Sequence, residues 1–334
     1  MPEKGGAGAV ASQDLKRGQS VAKVRAVGLF PNDQSLWGNE FGKRFYRQAI
    51  ELLPRRTQNV IASLHTSEIQ QTKEEFLASV LNQNTFGTNL NPELRMFYQA
   101  LVLEPAVRFN HDCRPNVEYY MDHFTQSIRM TASRQILAGE ELTISYRAAE
   151  FTRERRQNSL SETYGFRCSC SHCQMSLEEG RKSDERVLRA LQLQNYHYTR
   201  EEWLSIEEVK ELINICERMS LEEGRKSDER VLRALQLQNY HYTRDEWLSI
   251  EEVKELINIC ERESLTYHLV TAYYIAAQIY NAHGKTLEAG YFAEKAKKDG
   301  LIYFGPTWKY LDDAQILIDF PQNHDSYLNM RIEY

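Results

Sequence analysis

Three cysteines fall within six residues of "YGFRCSCSHC", at Cys168, Cys170 and Cys173. C-x-C-x-x-C is a metal-binding spacing, and a closed structural zinc site takes four ligands. Whatever fold carries this run must bring a fourth ligand to it. The candidates are Cys113, Cys216, Cys260 and nine histidines. Cys216 and Cys260 lie on the apolar face of a helical pattern, where a free cysteine behaves as a small hydrophobe. They are also duplicate positions, so a metal role for one would leave the other unexplained. His172 sits inside the run, where its neighbours Cys170 and Cys173 already use the loop; it is expected to face solvent. Cys113 remains, in the polar, irregular "RFNHDCRPN", where Pro115 forces an extended residue before it. Spacing and elimination assign Cys113, Cys168, Cys170 and Cys173 to one zinc that ties residue 113 to residues 168–173.

Six cysteines in 334 residues do not suggest a secreted disulfide scaffold. An intracellular protein of nucleus or cytoplasm, with thiolate metal ligands, is the better reading. No run of about 18 apolar residues marks a membrane span, and the N-terminus lacks a charged-then-apolar signal pattern. The net charge of −6 is uneven: residues 1–174 carry 21 Lys+Arg against 18 Asp+Glu, and the remainder 20 against 29. Neither part has the basic stripe of a nucleic-acid binder, so no direct nucleic-acid contact is expected. "RERR" at 153–156 is too short for a nuclear address and reads as a solvated charged turn.

The first half is mixed. "AVASQDLKRGQSVAKV" reads as strand, turn at Lys16-Arg17-Gly18, and strand. Residues 40–81 are predicted helical, broken by Pro54. From Asn116, "VEYYMD", "SIRMTASRQI" and "ELTISYR" alternate as short strands. After Cys173 strand signals almost vanish. Residues 175–218 recur at 219–262, the 44-residue copies differing only at Glu201 against Asp245. Such identity implies a recent duplication or an error in the gene model. Each copy reads as two helices: "SDERVLRALQLQ", capped by Ser183, and a second opened by the capping-box pairs Thr199/Glu202 or Ser205/Glu208. Beyond the repeat, residues 268–300 read as a helix hairpin turning at His283-Gly284-Lys285. Its small residues Ala276, Ala277, Ala289 and Ala293 permit close packing.

"RFNHDCRPN", then "AGEELTISY", then "YGFRCSCSHC" resembles a SET-domain protein lysine methyltransferase with a post-SET zinc site. The opening "GAGAVASQDLKRG" is similar to the first strand and turn of that domain. The helical half is similar in a general way to the C-terminal region of the SET-and-MYND type and fungal relatives. The MYND finger is lacking, since no cysteine precedes Cys113. The resemblance implies an α+β fold: small β-sheets with a threaded (pseudoknot) loop and a post-SET zinc site, followed by an all-α, TPR-like array. The expected domains are residues 1–174, with a helical insert at about 40–81, and residues 175–334, which contain the duplication. Family members have more sequence before the first glycines, so a shortened first strand is expected.

Carried over residue by residue, the resemblance implies that S-adenosylmethionine (SAM) meets Gly6 and Gly8, Asn110 and His111, and Asn84 in "NQNTFG". Tyr146 takes the position of the catalytic tyrosine, also beside SAM. Phe166 closes the lysine channel and packs on the cofactor, with Tyr164 lining the same region. The implied reaction moves a methyl group from SAM to a lysine ε-amine of a protein substrate. The amine must be neutral, although free lysine has a pKa near ~10.4; an aromatic channel and a neighbouring sulfonium both disfavour its charged form. The zinc has no open position and would fold the post-SET loop rather than activate water. The competing reading is an inactive, zinc-stabilised scaffold whose helical array binds a protein partner.

Overall fold

The computed structural model describes residues 8–31, 39–64, 66, 72–91, 96–198 and 248–329. The chain divides into two units. The first holds residues up to Ala148, Arg156–Cys173 and Tyr303–Gly305; the second holds Ala149–Arg155, Gln174–Ile302 and the residues from Pro306 on.

In the first unit the strands are β1 (Ala9–Val10), β2 (Ser20–Arg25) and β3 (Gly28–Pro31). Helices α1 (Glu40–Glu51), α2 (Arg55–Ala62) and α3 (Lys73–Asn84) follow. Then come β4 (Thr85–Asn91), β5 (Met96–Leu101), β6 (Asn110–His111), β7 (Val117–Asp122), β8 (Ser127–Ala132) and β9 (Glu141–Ile144). Three small sheets result, ordered β1-β9-β6, β2-β8-β7 and β3-β5-β4. The strand–turn–strand expected at the start is present, with Gly18 supplying a positive φ of 81°. β7 and β8 pair antiparallel from Val117↔Ala132 to Asp122↔Ser127. Their buried Val117, Ile128, Met130 and Ala132 share a core with Phe86, Ala100 and Phe109.

The predicted helical stretch is three helices. Pro54, which has no N–H to continue α1, stands at the N-cap of α2. Asn39 caps α1 by accepting the Gly42 N–H at 2.7 Å, and Thr72 with Glu75 forms a capping box on α3. These helices bury Tyr46, Ile50, Ile61, Leu77, Val80 and Leu81 around Phe30 and Leu101. Each such aliphatic side chain contributes ~1.5–3 kcal/mol relative to exposure.

The sheet that matters for the site is β1-β9-β6. β9 pairs antiparallel with β1 (Ala9↔Leu142) and parallel with β6 (Asn110↔Thr143, His111↔Ile144). Gly8 leads into β1, whereas Gly6 lies outside the described residues. Helix α4 (Arg153–Tyr164) then runs into the cysteine segment. "RERR" is therefore not a solvated turn: it opens a helix, and Arg156 is fully buried.

The second unit is helical among the described residues: α5 (Leu177–Tyr198), α6 (Ile250–Arg262), α7 (Thr266–Ala282), α8 (Thr286–Tyr303) and α9 (Leu311–Asp319). Ser183 is not the cap of α5. The helix begins seven residues' reach earlier, where Ser176 and Glu179 exchange capping bonds, and Ser183 inside it bonds Glu263. The Ser205/Glu208 and Thr199/Glu202 pairs lie outside the described residues. Their second-copy counterpart Ser249/Glu252 does form a capping box. α5 comes from the first copy and α6 from the second. They pack antiparallel, with Arg186 on Glu263 and Arg189 on Glu255, over buried Val187, Ala190, Leu193, Val253, Leu256 and Cys260. Cys260 is a core hydrophobe, as its position suggested; Cys216 lies outside the described residues. The hairpin turn falls between α7 and α8 at Gly284, with φ 68°, and Ala276, Ala277, Ala289 and Ala293 are fully buried.

Candidate active site and metal centre

Gly165, at φ 72°, ends α4, and its N–H bonds the Ser161 carbonyl at 3.1 Å. The chain can then double back, so that Cys168, Cys170 and Cys173 lie against the helix they follow. Gln157 holds this return from both sides: its amide donates to the Cys168 carbonyl at 2.7 Å and accepts the Cys168 N–H at 3.0 Å. Fully buried Leu160 packs among the same cysteines.

The fourth sulfur comes from the loop after β6. The Asp112 carboxylate accepts the Arg114 N–H at 2.8 Å, a local turn that fixes the residue between them. Cys113 is fully buried, 3.9 Å from the Cys168 sulfur and 3.5 Å from that of Cys173. All four sulfurs lie within 4.8 Å of one another and none is in a disulfide. Tetrahedral zinc at about 2.3 Å from each sulfur sets them about 3.8 Å apart, so the donor set and its spacing fit that ion. Bonds from Cys113, then Cys168, pull Cys170 down to about 5, and bonds to Cys168, Cys170 and Cys173 push Cys113 far up. His172 is buried rather than solvent-facing. It is buried together with the three cysteines, while Arg167, Ser169 and Ser171 alongside them are exposed.

The second cluster adjoins the first through His111. Its Nδ1 accepts the Tyr146 backbone N–H at 2.9 Å, and its Nε2 stands 3.4 Å from the Cys113 sulfur. An Nδ1 that accepts places the ring proton on Nε2, facing that sulfur. The Tyr146 hydroxyl donates to the Phe109 carbonyl at 2.7 Å. Its ring lies 5.3 Å from His111 and 4.8 Å from Tyr164, and Phe166 lies 6.2 Å from His111 and 6.4 Å from Tyr164. Burial holds the Tyr146 pKa well above the ordinary phenol value, with Tyr164 and Glu141 adding to it. Tyr146 therefore stays a neutral hydroxyl, able to donate and accept but not to act as a base near neutral pH.

Asn110 is fixed beside β9 by its own amide, which donates to Glu141 at 2.8 Å. Asn84 closes α3, where its amide donates to the Val80 carbonyl at 2.9 Å. Three contributors escape a reading by motif. Arg147 lies over the Tyr164 ring at 4.9 Å and bonds the Tyr146 carbonyl, fixing the pair of tyrosines. Gln157 clamps Cys168, and Arg156 is buried beside it. The last two share a helix with Leu160 at i, i+3 and i, i+4 spacing, a periodicity available in "RRQNSL".

Residues 6–147 match the SET domain family. This part of the chain is a SET domain. Over 153 residues the chain is 31% identical to the histone-lysine N-methyltransferase set5 of Schizosaccharomyces pombe, covering 43% of this chain and 47% of that protein. It is 41% identical over 66 residues to the histone-lysine N-methyltransferase ATXR4 of Arabidopsis thaliana, covering 20% of each. Over 81 residues it is 37% identical to the mouse histone-lysine N-methyltransferase Smyd1, covering 21% and 16%. The chain thus spans about half the length, or less, of these relatives. Within the matched residues, the pairing of β6 with β9 sets Asn110-His111 beside the strand leading to Tyr146. Among the described residues no helix is long and apolar enough to cross a membrane.

Proposed function

We propose that the chain is a SAM-dependent protein lysine N-methyltransferase, with a structural zinc held by Cys113, Cys168, Cys170 and Cys173. One observation carries the reading: His111, Tyr146, Tyr164 and Phe166 form one aromatic cluster that shares His111 with the four-cysteine site. The donor set suits the cofactor. Aromatic faces tolerate a sulfonium cation, and an amide side chain and a neutral hydroxyl flank them. SAM, when bound, supplies the electrophilic methyl group.

This chain's residues do the rest. Gly6, Gly8, Asn84, Asn110 and His111 are assigned to cofactor binding, with Phe166 packing against it. Tyr146 and Tyr164 narrow the channel for the lysine stem and exclude water, which favours the neutral amine. The Tyr146 hydroxyl, already anchored on the Phe109 carbonyl, orients that amine toward the methyl group. The zinc would hold the loop that carries Phe166. Residues 1–174 act as the catalytic domain and 175–334 as the surface for a protein partner or substrate, in nucleus or cytoplasm.

The test is transfer of labelled methyl from SAM to lysine in a histone panel and in fractionated extract. Transfer is expected, together with thermal stabilisation by SAM. Absence of both overturns the reading.

A further inference from the structure

We propose that Glu141 is a positioning residue for the cofactor: its carboxylate fixes which way the Asn110 amide faces, and so presents the Asn110 carbonyl oxygen to a hydrogen-bond donor of SAM. The inference rests on the SAM reading above and deepens it. The middle strand of the β1-β9-β6 sheet brings the two residues together. Glu141 pairs with Val10 on one side, and Asn110 pairs with Thr143 on the other. Glu141 and Thr143, two apart on β9, put their side chains on one face of the sheet. The Asn110 Nδ2 donates to Glu141 Oε1 at 2.8 Å. The strand does not need that carboxylate to stay in place. Asn116 holds it through the backbone, donating to the Glu141 carbonyl at 2.8 Å and accepting the Thr143 N–H at 2.9 Å.

A carboxylate only accepts hydrogen bonds, whereas an amide side chain carries NH2 on one branch and an accepting oxygen on the other. Against Glu141 only the NH2 branch bonds, so the oxygen is turned away from it. A carboxylate takes several donors at once, and this one bond is enough to set the amide. Asn110 is half-buried, and among the described residues nothing donates to its Oδ1. An acceptor held in this way selects a donor. SAM brings an ammonium, an adenine amine and ribose hydroxyls, and an ionised donor makes the stronger bond. Without the carboxylate the amide turns over freely, and its NH2 then faces those donors.

SAM binding to the full chain is measured by calorimetry, together with kcat at saturating SAM and the melting temperature without SAM. The variants are Glu141→Leu, Asn110→Asp and Asn110→Asp/Glu141→Gln. Glu141→Leu is expected to weaken SAM binding by ~10-fold or more, the range for a hydrogen bond to a charged group, with kcat at saturating SAM little changed. Asn110→Asp sets two carboxylates side by side and is expected to lose more. Adding Glu141→Gln exchanges the amide and the carboxylate, so one bond and one outward oxygen return, and affinity recovers at least to the Glu141→Leu value. Wild-type SAM affinity in Glu141→Leu, whatever its melting temperature, overturns the inference while the SAM reading stands. Equal loss in Asn110→Asp with and without Glu141→Gln also overturns it, because the two side chains then do not act as a pair. If Glu141→Leu does not fold, that comparison of the two Asn110 variants decides alone. A wild-type chain that binds no SAM removes the SAM reading itself.

Discussion

The two units of this chain hold themselves together in opposite ways. In the first, the critical contacts join residues far apart in sequence: Cys113 meets Cys168 across 55 positions, and Tyr146 meets His111 across 35. In the second, among the described helices, α6, α7 and α8 follow one another in sequence and pack as neighbours, while α5 packs on α6 from 52 positions before it. The first arrangement concentrates stability in a few long-range ties. The second also has long-range polar ties, Ser183 and Arg186 on Glu263, but sets them within extended helix–helix interfaces. Substitution of one tie in the first unit should therefore do more harm than removal of a whole segment from the second.

The largest effect is expected from Cys113→Ser, which should release the metal and expose residues 165–174 to limited proteolysis. Loss of a structural zinc removes folding free energy outright. A variant with full zinc content and unchanged proteolysis would break the comparison at its first term. Tyr146→Phe should lower methyl transfer by ~10²-fold or more, in the range for removing one oriented hydrogen-bonding group, while SAM-induced thermal stabilisation persists. Wild-type turnover in this variant would remove Tyr146 from the reaction.

Within the second unit, Glu263→Ala should cost ~2 kcal/mol in urea denaturation. It strands Ser183 and part of Arg186 at a buried position. The pH–rate profile offers a finer test. Because the Tyr146 pKa is raised in the folded chain, its hydroxyl remains protonated above the ordinary value of about 10. Activity should rise with pH as substrate amine loses its proton and show no descending limb below about pH 10. A fall near pH 9 would place an ordinary or lowered phenol in the site. The smallest effect should come from deleting residues 199–242, which joins Tyr198 to Thr243 and leaves one seamless copy. The connection from α5 to α6 then comprises residues 243–249, an ordinary length for antiparallel helices. Melting temperature and zinc content should stay close to wild type. A large loss of stability would show that the second unit depends on a particular segment after all.

What the sequence disclosed follows the same division. Local signals were legible: Pro54 as a breaker, Gly18 and Gly284 as turns, and alternation in β7, β8 and β9. So was the cysteine set, because a metal demands a count that spacing and elimination can complete. The start of α5 was misplaced although Ser176-x-x-Glu179 carries the complete box, which Ser183 followed by Asp184 and Glu185 does not. The burial of Arg156 was not legible in local pattern. A charge run reads as surface unless the residues that bury it are known, and nothing in "RERR" itself marks Arg156 as different from its neighbours. His172 failed for a like reason: its sequence neighbours are polar or ligands, and nothing local marks it for burial.

The placement of α5 and α6 on either side of the copy boundary has a consequence for inheritance. α5 directly follows the cysteine segment, and α6 runs directly into Glu263 and α7, whichever number of copies lies between. A slip in replication that adds one 44-residue unit therefore lands where it leaves every described contact on both flanks intact. A gene of this kind can acquire, keep or lose such a unit at a point that interrupts neither flank.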